Sequence, residues 1–278
     1  MEAVLDSVSA PVSYVNDEWR NSQDIPHIYS KQSRQRNTSL RQVDIYNARP
    51  LVDSGALNLD RQGYVLVEQT SAFTQFHDKQ RVLDEYLPEM RELLLYSTGA
   101  REAVPFPFFQ VRSADPEHFF DAYSLYMHCD YSLASCVSFA QTILKRRRMA
   151  EVYPRDRWDY AFYNLWRAVE VPVECDPLVW VDASTVLAQD IIDYRPVKEG
   201  TDQGVAAVPL FNTNHRHHYI PNMQPDEVLI LKQLDSRQGV AQVCPHTSFV
   251  DPTTPADARP RRSIDVRFLC IFDKAGDT

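Results

Sequence analysis

Residues 260–272 read PRRSIDVRFLCIF. Arg261, Ser263, Asp265 and Arg267 fall on one parity and Ile264, Val266 and Phe268 on the other, so a period of two sorts the segment into a polar and an apolar face. A β-strand has that period. Working back along the chain, HTSFV (246–250), EVLILKQL (227–234), HRHHYI (215–220), PLVWVDAS (177–184) and YAFYNLWRAV (160–169) are further short β-like runs separated by turn signals. No helical stretch alternates with them, which points to an antiparallel sandwich or barrel and not to a Rossmann sheet.

The first half adds strand-like runs at Val43–Leu51 and Gly63–Glu68. Between Phe76 and Thr98, apolar residues recur at Val82, Leu83, Tyr86, Leu87, Met90, Leu93, Leu94 and Leu95 with Gly99 just beyond, the spacing of an amphipathic helix interrupted at Pro88. A second helix is expected over Leu133–Met149, ending in Lys145, Arg146, Arg147 and Arg148. Cations there complement the helix dipole, so the run reads as a solvated end and not as a nucleic-acid patch. Residues 1–40 are polar and are expected to form a partly mobile N-terminal arm on a single domain spanning 1–278.

Composition narrows the partners. Hydrophobic residues make up 44% and charged residues 24% of the 278, ordinary globular values, and the formal net charge of −9 disfavours nucleic acid and anionic membrane surfaces. Seven glycines against 18 prolines argue against a glycine-rich nucleotide cradle. The five cysteines are scattered with no C-x-x-C pair, which suggests neither a disulfide framework nor a thiolate zinc site and fits a reducing cytosol. The start of the chain shows no signal peptide and no apolar run is long enough to span a bilayer, so a cytoplasmic protein is expected.

Chemistry concentrates in SLYMHCDYS (124–132), where His128 and Asp130 stand two apart. On an extended backbone both would project to the same side, with Cys129 pointing away. His246, opening HTSFV, is the natural third ligand. Two imidazoles and one carboxylate on one face of an octahedral ion leave open positions, the arrangement of oxygen-activating iron(II) sites, with room for a keto acid and O2. Arg261 and Ser263 follow on one strand face and can jointly bind a carboxylate. The order H-x-D, distal His, then R-x-S is that of 2-oxoglutarate oxygenases. His215 and His217 also have the H-x-H spacing of a metal pair, but no carboxylate follows at short range, which favours a structural or pocket-lining role. Phe106, Phe108, Phe109, Tyr126, Trp166 and Trp180 could line an apolar substrate cavity or belong to the core.

From Arg112 to Phe272, the segments MHCDYS, YNLWRAVE, PLVWVDAST, HRHHYIPNMQPDEVLILKQLDS, GVAQVCPHTSFVDPTTP and PRRSIDVRFL resemble the CmcJ/asaB-like hydroxylase/desaturase family of non-haem iron oxygenases. The resemblance implies a mainly β chain with flanking helices around a double-stranded β-helix (jelly-roll) core. It also implies Fe(II), 2-oxoglutarate and O2, and a role in fungal terpenoid, meroterpenoid or polyketide biosynthesis with a homodimer as a family-level expectation. The ligands would be His128, Asp130 and His246, with Arg261 and Ser263 on the cosubstrate and Arg167 or Asn164 of NLWR as further candidates for its pocket. The family pattern often has an acid where this chain has Arg262, and a small aliphatic residue in place of Cys129; neither is a proposed ligand. The expected substrate is a small apolar molecule, and the choice among hydroxylation, desaturation and endoperoxidation stays open. The rival readings are a non-catalytic jelly roll that binds a metabolite and a redox-neutral metalloenzyme on the same scaffold.

Overall fold

A computed structural model describes residues 5–113, 125–197 and 204–274; residues 1–4 of the expected arm and Ser124 of the ligand segment lie outside the described residues. The strands are β1 (Ser7–Val15), β2 (Thr38–Asn47), β3 (Tyr64–Glu68), β4 (Glu102–Pro105), β5 (Gln110–Ser113), β6 (Trp158–Ala168) and β7 (Leu178–Val181), followed by β8 (Ile191–Tyr194), β9 (Ala206–Pro209), β10 (His217–Tyr219), β11 (Glu227–Asp235), β12 (His246–Ser248) and β13 (Arg262–Asp273). One sheet runs β1-β2-β10-β7-β12 and the other β3-β11-β6-β13-β4, with β5 also on β13 and β8 paired to β9. Trp166, Leu229 and Leu231 of the second sheet pack against Leu178 and Trp180 of the first. The two curled sheets form the jelly roll expected from the sequence.

The second sheet is buried on both faces, which is why β6 reads as a nearly continuous apolar run. Its outer face, with Tyr163, Leu165, Ile230, Val266 and Phe268, packs against Tyr86, Leu87, Met90 and Leu94 of the helical layer. Its inner face is apolar at both ends, with Trp166 and Leu229 at one and Phe162, Leu269 and Ile271 at the other. Between them lie the buried polar side chains Asn164, Gln233, Ser263 and Asp265. Buried polar groups need partners, and their position inside the sandwich locates the site.

The polar arm is corrected. Ser7–Val15 forms an edge strand registered against β2 from Ser7↔Tyr46 to Val15↔Thr38, with Ala10, Val12 and Tyr14 buried. Its serines and Pro11 occupy the other, more exposed parity, so the mean composition reads polar while the alternation is that of a strand. The polar stretch after it is the helix Lys31–Asn37, capped by Ser30, whose Oγ accepts from the Ser33 amide at 3.1 Å.

Other boundaries moved for local reasons. The first expected strand ends at Asn47, because Pro50 opens the short helix Arg49–Asp53. The helical stretch before Gly99 consists of Lys79–Arg81, a π-turn at Val82–Tyr86 and the helix Leu87–Thr98. Pro88 sits in the first turn of that last helix, where its missing N–H leaves no intrahelical bond unmade, and the wider turn ahead of it absorbs the interruption. The second helix is Cys136–Arg146, preceded by a 3-10 turn at Leu133–Ser135.

Candidate metal centre

His128 and His246 sit directly opposite one another across an antiparallel bridge, exchanging both backbone hydrogen bonds: His128 N–H to the His246 carbonyl at 3.1 Å and the reverse at 3.0 Å. Directly opposed residues project their side chains to one face. Their rings lie 4.7 Å apart between centroids. Asp130, two residues on, returns to the same side, while Cys129 between them is buried with Ala207 and Val243. The segment is held on three sides, because Met127 N–H also donates to the Ser13 carbonyl and Cys129 N–H to the Ala207 carbonyl, each at 2.8 Å. Ligand atoms of His128, Asp130 and His246 all lie within 4.8 Å of one another, and no other cluster of this kind occurs among the described residues.

Each imidazole is oriented by what its far nitrogen touches. His128 Nδ1 lies 2.9 Å from the Tyr126 carbonyl and His246 Nδ1 lies 3.3 Å from the Cys244 carbonyl. A carbonyl only accepts, so these contacts favour the tautomer with the proton on Nδ1, whose Nε2 is the ligating atom; at His246 the Gln233 amide nitrogen also stands 3.4 Å from Nδ1. Burial pushes the His128 imidazole down despite Asp130 beside it. Burial and then the His128 ring bring His246 down to about 3. Both rings are therefore neutral at physiological pH, the form that ligates.

Asp130 is held at both oxygens. The Asn164 amide donates to Oδ2 at 2.5 Å and Arg267 to Oδ1 at 3.1 Å. Burial alone would raise this carboxyl; the Arg267 guanidinium, the two imidazoles and the Asn164 amide outweigh it and hold the group well below the ordinary carboxylate range. Arg267 also reaches Asp265 at 3.5 Å. Burial pushes the Asp265 carboxyl up to about 6 in spite of that contact.

Behind the imidazoles lies a narrow inner cleft whose walls include Trp166, Ser248 and the guanidinium-bearing Arg112, Arg261 and Arg267. Arg261 stands over the Trp166 ring at 5.5 Å and donates to Ser248 Oγ at 2.9 Å and to the Asp176 carbonyl. Ser263 Oγ is buried with no hydrogen-bond partner. An orphaned hydroxyl beside a buried guanidinium is the donor set that a carboxylate would complete. Beyond Asp130 and Arg267 the site opens into a cavity of ≈ 450 Å³ walled partly by Phe108, Tyr131 and Phe139.

The candidates proposed from sequence divide on this geometry. His128, Asp130 and His246 come together, and Arg267 and Asn164 join them through Asp130. Arg261 lines the adjoining cleft, and Ser263 is buried two residues further along the chain. Arg167 does not. It lies on the outer face of β6, donating to the Pro225 carbonyl and to Gln69 Oε1 at 2.9 Å, with the guanidinium over Tyr86. Because β6 is buried on both sides, alternation could not tell which parity of NLWR faces inward. The histidine cluster is structural: Tyr14 O–H lies 2.6 Å from His217 Nε2, Tyr64 O–H 2.8 Å from His218 Nδ1, and His215 Nε2 3.3 Å from Asp190. Arg112 escaped the sequence reading because β5 carries too few residues to show a pattern. Of the aromatics, Phe106 and Trp180 are core, while Trp166 reaches the cleft and Phe108 the cavity.

A jelly roll that gathers two neutral imidazoles and an oriented carboxylate between an arginine-lined cleft and a larger cavity has the architecture of a mononuclear metalloenzyme. The chain belongs to the YDMC family, described as an oxidoreductase/YMDC permease-like domain, whose model matches residues 11–271. Among the described residues no helix is long and apolar enough to cross a membrane. The chain is similar to the alpha-ketoglutarate-dependent dioxygenase phiK of a fungal species, at 27% identity over 251 residues covering 85% of this chain and 86% of the relative. It is also similar to the Fe(II)/2-oxoglutarate-dependent dioxygenase nvfI of Aspergillus novofumigatus (26%, covering 84% of each) and to the hydroxylase/desaturase asaB of Aspergillus flavus (28%, covering 67% and 90%). The solved structure of the iron and alpha-ketoglutarate-dependent endoperoxidase NvfI superposes with a TM-score of 0.80 at 22% identity, covering 96% of this chain and 99% of that one, and shares the fold.

Proposed function

We propose that this protein is an Fe(II)/2-oxoglutarate-dependent oxygenase that uses O2 to oxidise an unactivated C–H bond of a small, largely apolar specialised metabolite of the terpenoid, meroterpenoid or polyketide type. The observation that carries the reading is the convergence of three potential ligand atoms within 4.8 Å at the junction of the arginine-lined cleft and the cavity. His128, Asp130 and His246 would hold the metal. Iron with 2-oxoglutarate and O2 supplies the oxidant for C–H cleavage.

The residues of the chain bind and orient. Arg261 and Ser263 receive the distal carboxylate of 2-oxoglutarate. The cleft is narrow, so on this reading the cosubstrate draws Arg261 away from Ser248 and the Asp176 carbonyl and satisfies Ser263 at the same time. Three guanidiniums, set against Asp265 in the cleft and Asp130 beside Arg267, leave a positive surplus that favours an anionic cosubstrate. Phe108, Tyr131 and Phe139 shield the reacting carbon from water.

Anaerobic addition of iron(II) and 2-oxoglutarate is expected to give a visible charge-transfer band, followed by succinate on exposure to oxygen. Absence of the band would favour a metabolite-binding jelly roll, and a band without succinate a redox-neutral metalloenzyme. Mass spectrometry of products from a substrate screen separates hydroxylation, desaturation and endoperoxidation as gain of one oxygen, loss of two hydrogens and gain of two oxygens. The same reading places the enzyme in the cytosol, in keeping with five free cysteines, and as a homodimer, which light scattering tests.

A further inference from the structure

The ≈ 450 Å³ cavity next to Asp130 has two unlike walls. Phe108, Phe139, Val205 and Ala206 are apolar, whereas Ser135, Ser138 and Thr142 run along the start of the helix Cys136–Arg146 at helical spacing. Their protons are already committed. Ser135 Oγ donates to the Ser132 carbonyl at 2.7 Å, Ser138 Oγ to the Ser135 carbonyl at 3.0 Å and Thr142 Oγ1 to the Ser138 carbonyl at 2.9 Å. Each hydroxyl therefore presents lone pairs to the cavity, making an edge of acceptors.

Charge is also settled. Asp130 and Arg267 are 3.1 Å apart, and Arg267 is shared with Asp265. Among the described residues the one other titratable group lining this cavity is the Tyr131 phenol, which burial keeps protonated and neutral. A substrate carboxylate would lie beside Asp130 while Arg267 is already shared between two carboxylates, so like-charge repulsion disfavours it.

We infer that the substrate is an uncharged, largely apolar molecule carrying a hydroxyl group, and that this hydroxyl donates to the Ser138 and Thr142 edge while the apolar skeleton lies against Phe108 and Phe139. The inference rests on the oxygenase reading for which cavity takes the substrate. A docked hydroxyl fixes one end of the molecule and so selects which carbon lies beside Asp130, making Ser138 and Thr142 determinants of specificity.

A matched set of probes tests it: farnesol, the hydrocarbon farnesene and farnesoic acid, titrated by calorimetry into the full chain loaded anaerobically with iron(II) and 2-oxoglutarate. Farnesol is expected to bind about tenfold more tightly than either of the others, the scale of one or two hydrogen bonds. In a Ser138→Ala, Thr142→Val variant the preference should vanish with farnesene binding unchanged. Equal or tighter binding of farnesene or farnesoic acid, binding of none of the three, or a preference that survives in the variant overturns the inference. The charge-transfer band is read in the same samples. A band without the alcohol preference sinks only this inference, and a missing band in the unsubstituted protein sinks the oxygenase reading; in the variant, a retained band shows that the site is still folded.

Discussion

Asp130 is a ligand candidate whose two oxygens are each tied to another side chain, Asn164 on one and Arg267 on the other. Such partners fix the direction from which a carboxylate meets a metal. Replacing Asn164 by Ala is expected to weaken iron(II) or manganese(II) binding by about 10–100-fold, measured by competition titration; unchanged affinity would remove the orienting role. Arg261→Ala should instead leave metal affinity intact and raise the 2-oxoglutarate requirement by about one to two orders of magnitude, as for a lost charge-assisted pair. Ser263→Ala should produce a smaller rise in steady-state kinetics. An unchanged requirement in Arg261→Ala would transfer the role to Arg267. At this scale the sequence was legible wherever one face of a strand was polar: the parity of Arg261, Ser263, Asp265 and Arg267 is visible in the string. Arg167 was misread because its strand is buried on both faces, and there polarity marks a buried hydrogen-bond network as readily as a pocket.

At the scale of elements, two turns show what the helices and strands require of their ends. Gly99 closes the helix Leu87–Thr98 at φ 68°, with open space where a Cβ would sit. Gly63, at φ 78°, leads into β3, accepts from Lys232 N–H at 2.7 Å, and would bring a Cβ to 2.9 Å from Ala183 Cβ. Gly99→Ala should therefore cost about 1 kcal/mol from backbone conformation alone. Gly63→Ala should cost about 1–3 kcal/mol more, through overpacking. Chemical denaturation checks the order, and equal losses would contradict it. The longer strands β6, β11 and β13 were legible because their patterns persist. β7, β10 and β12 are short but sit in longer β-like runs bounded by turn signals. β4, β5, β8 and β9, four residues each, have no such run around them, and tertiary pairing decides them.

For the whole molecule, acid sensitivity follows from two histidines that the metal site does not use. Burial, with neighbouring charges secondary, lowers His217 to about 3 and His218 to about 4, so both are neutral in the folded protein. The unfolded chain takes up these protons near pH 6.5, whereas the fold does not until the lower values are reached. The folded values are depressed, so this part of the stability is intact above about pH 6.5 and is lost as pH falls toward 4 and 3. At pH 5 the loss is about 2 kcal/mol per histidine. Melting temperature between pH 7.5 and 5 should fall accordingly, and His217→Gln should flatten the slope. A slope that does not change would assign the sensitivity elsewhere.

The bridge between His128 and His246 joins two segments far apart in the chain through one reciprocal pair of backbone bonds. A metal gripped by both imidazoles would latch that seam, so occupancy and local opening become one equilibrium. Ion at a hundred times its dissociation constant adds about 2.7 kcal/mol against opening. Chelation should then accelerate amide hydrogen exchange at His128, Cys129 and His246 while the amides of β6 and β13 keep their protection. The ion would thus serve as a clasp on the sheet edge as well as a reagent, and a chain deprived of iron would become vulnerable to proteolysis first at this seam.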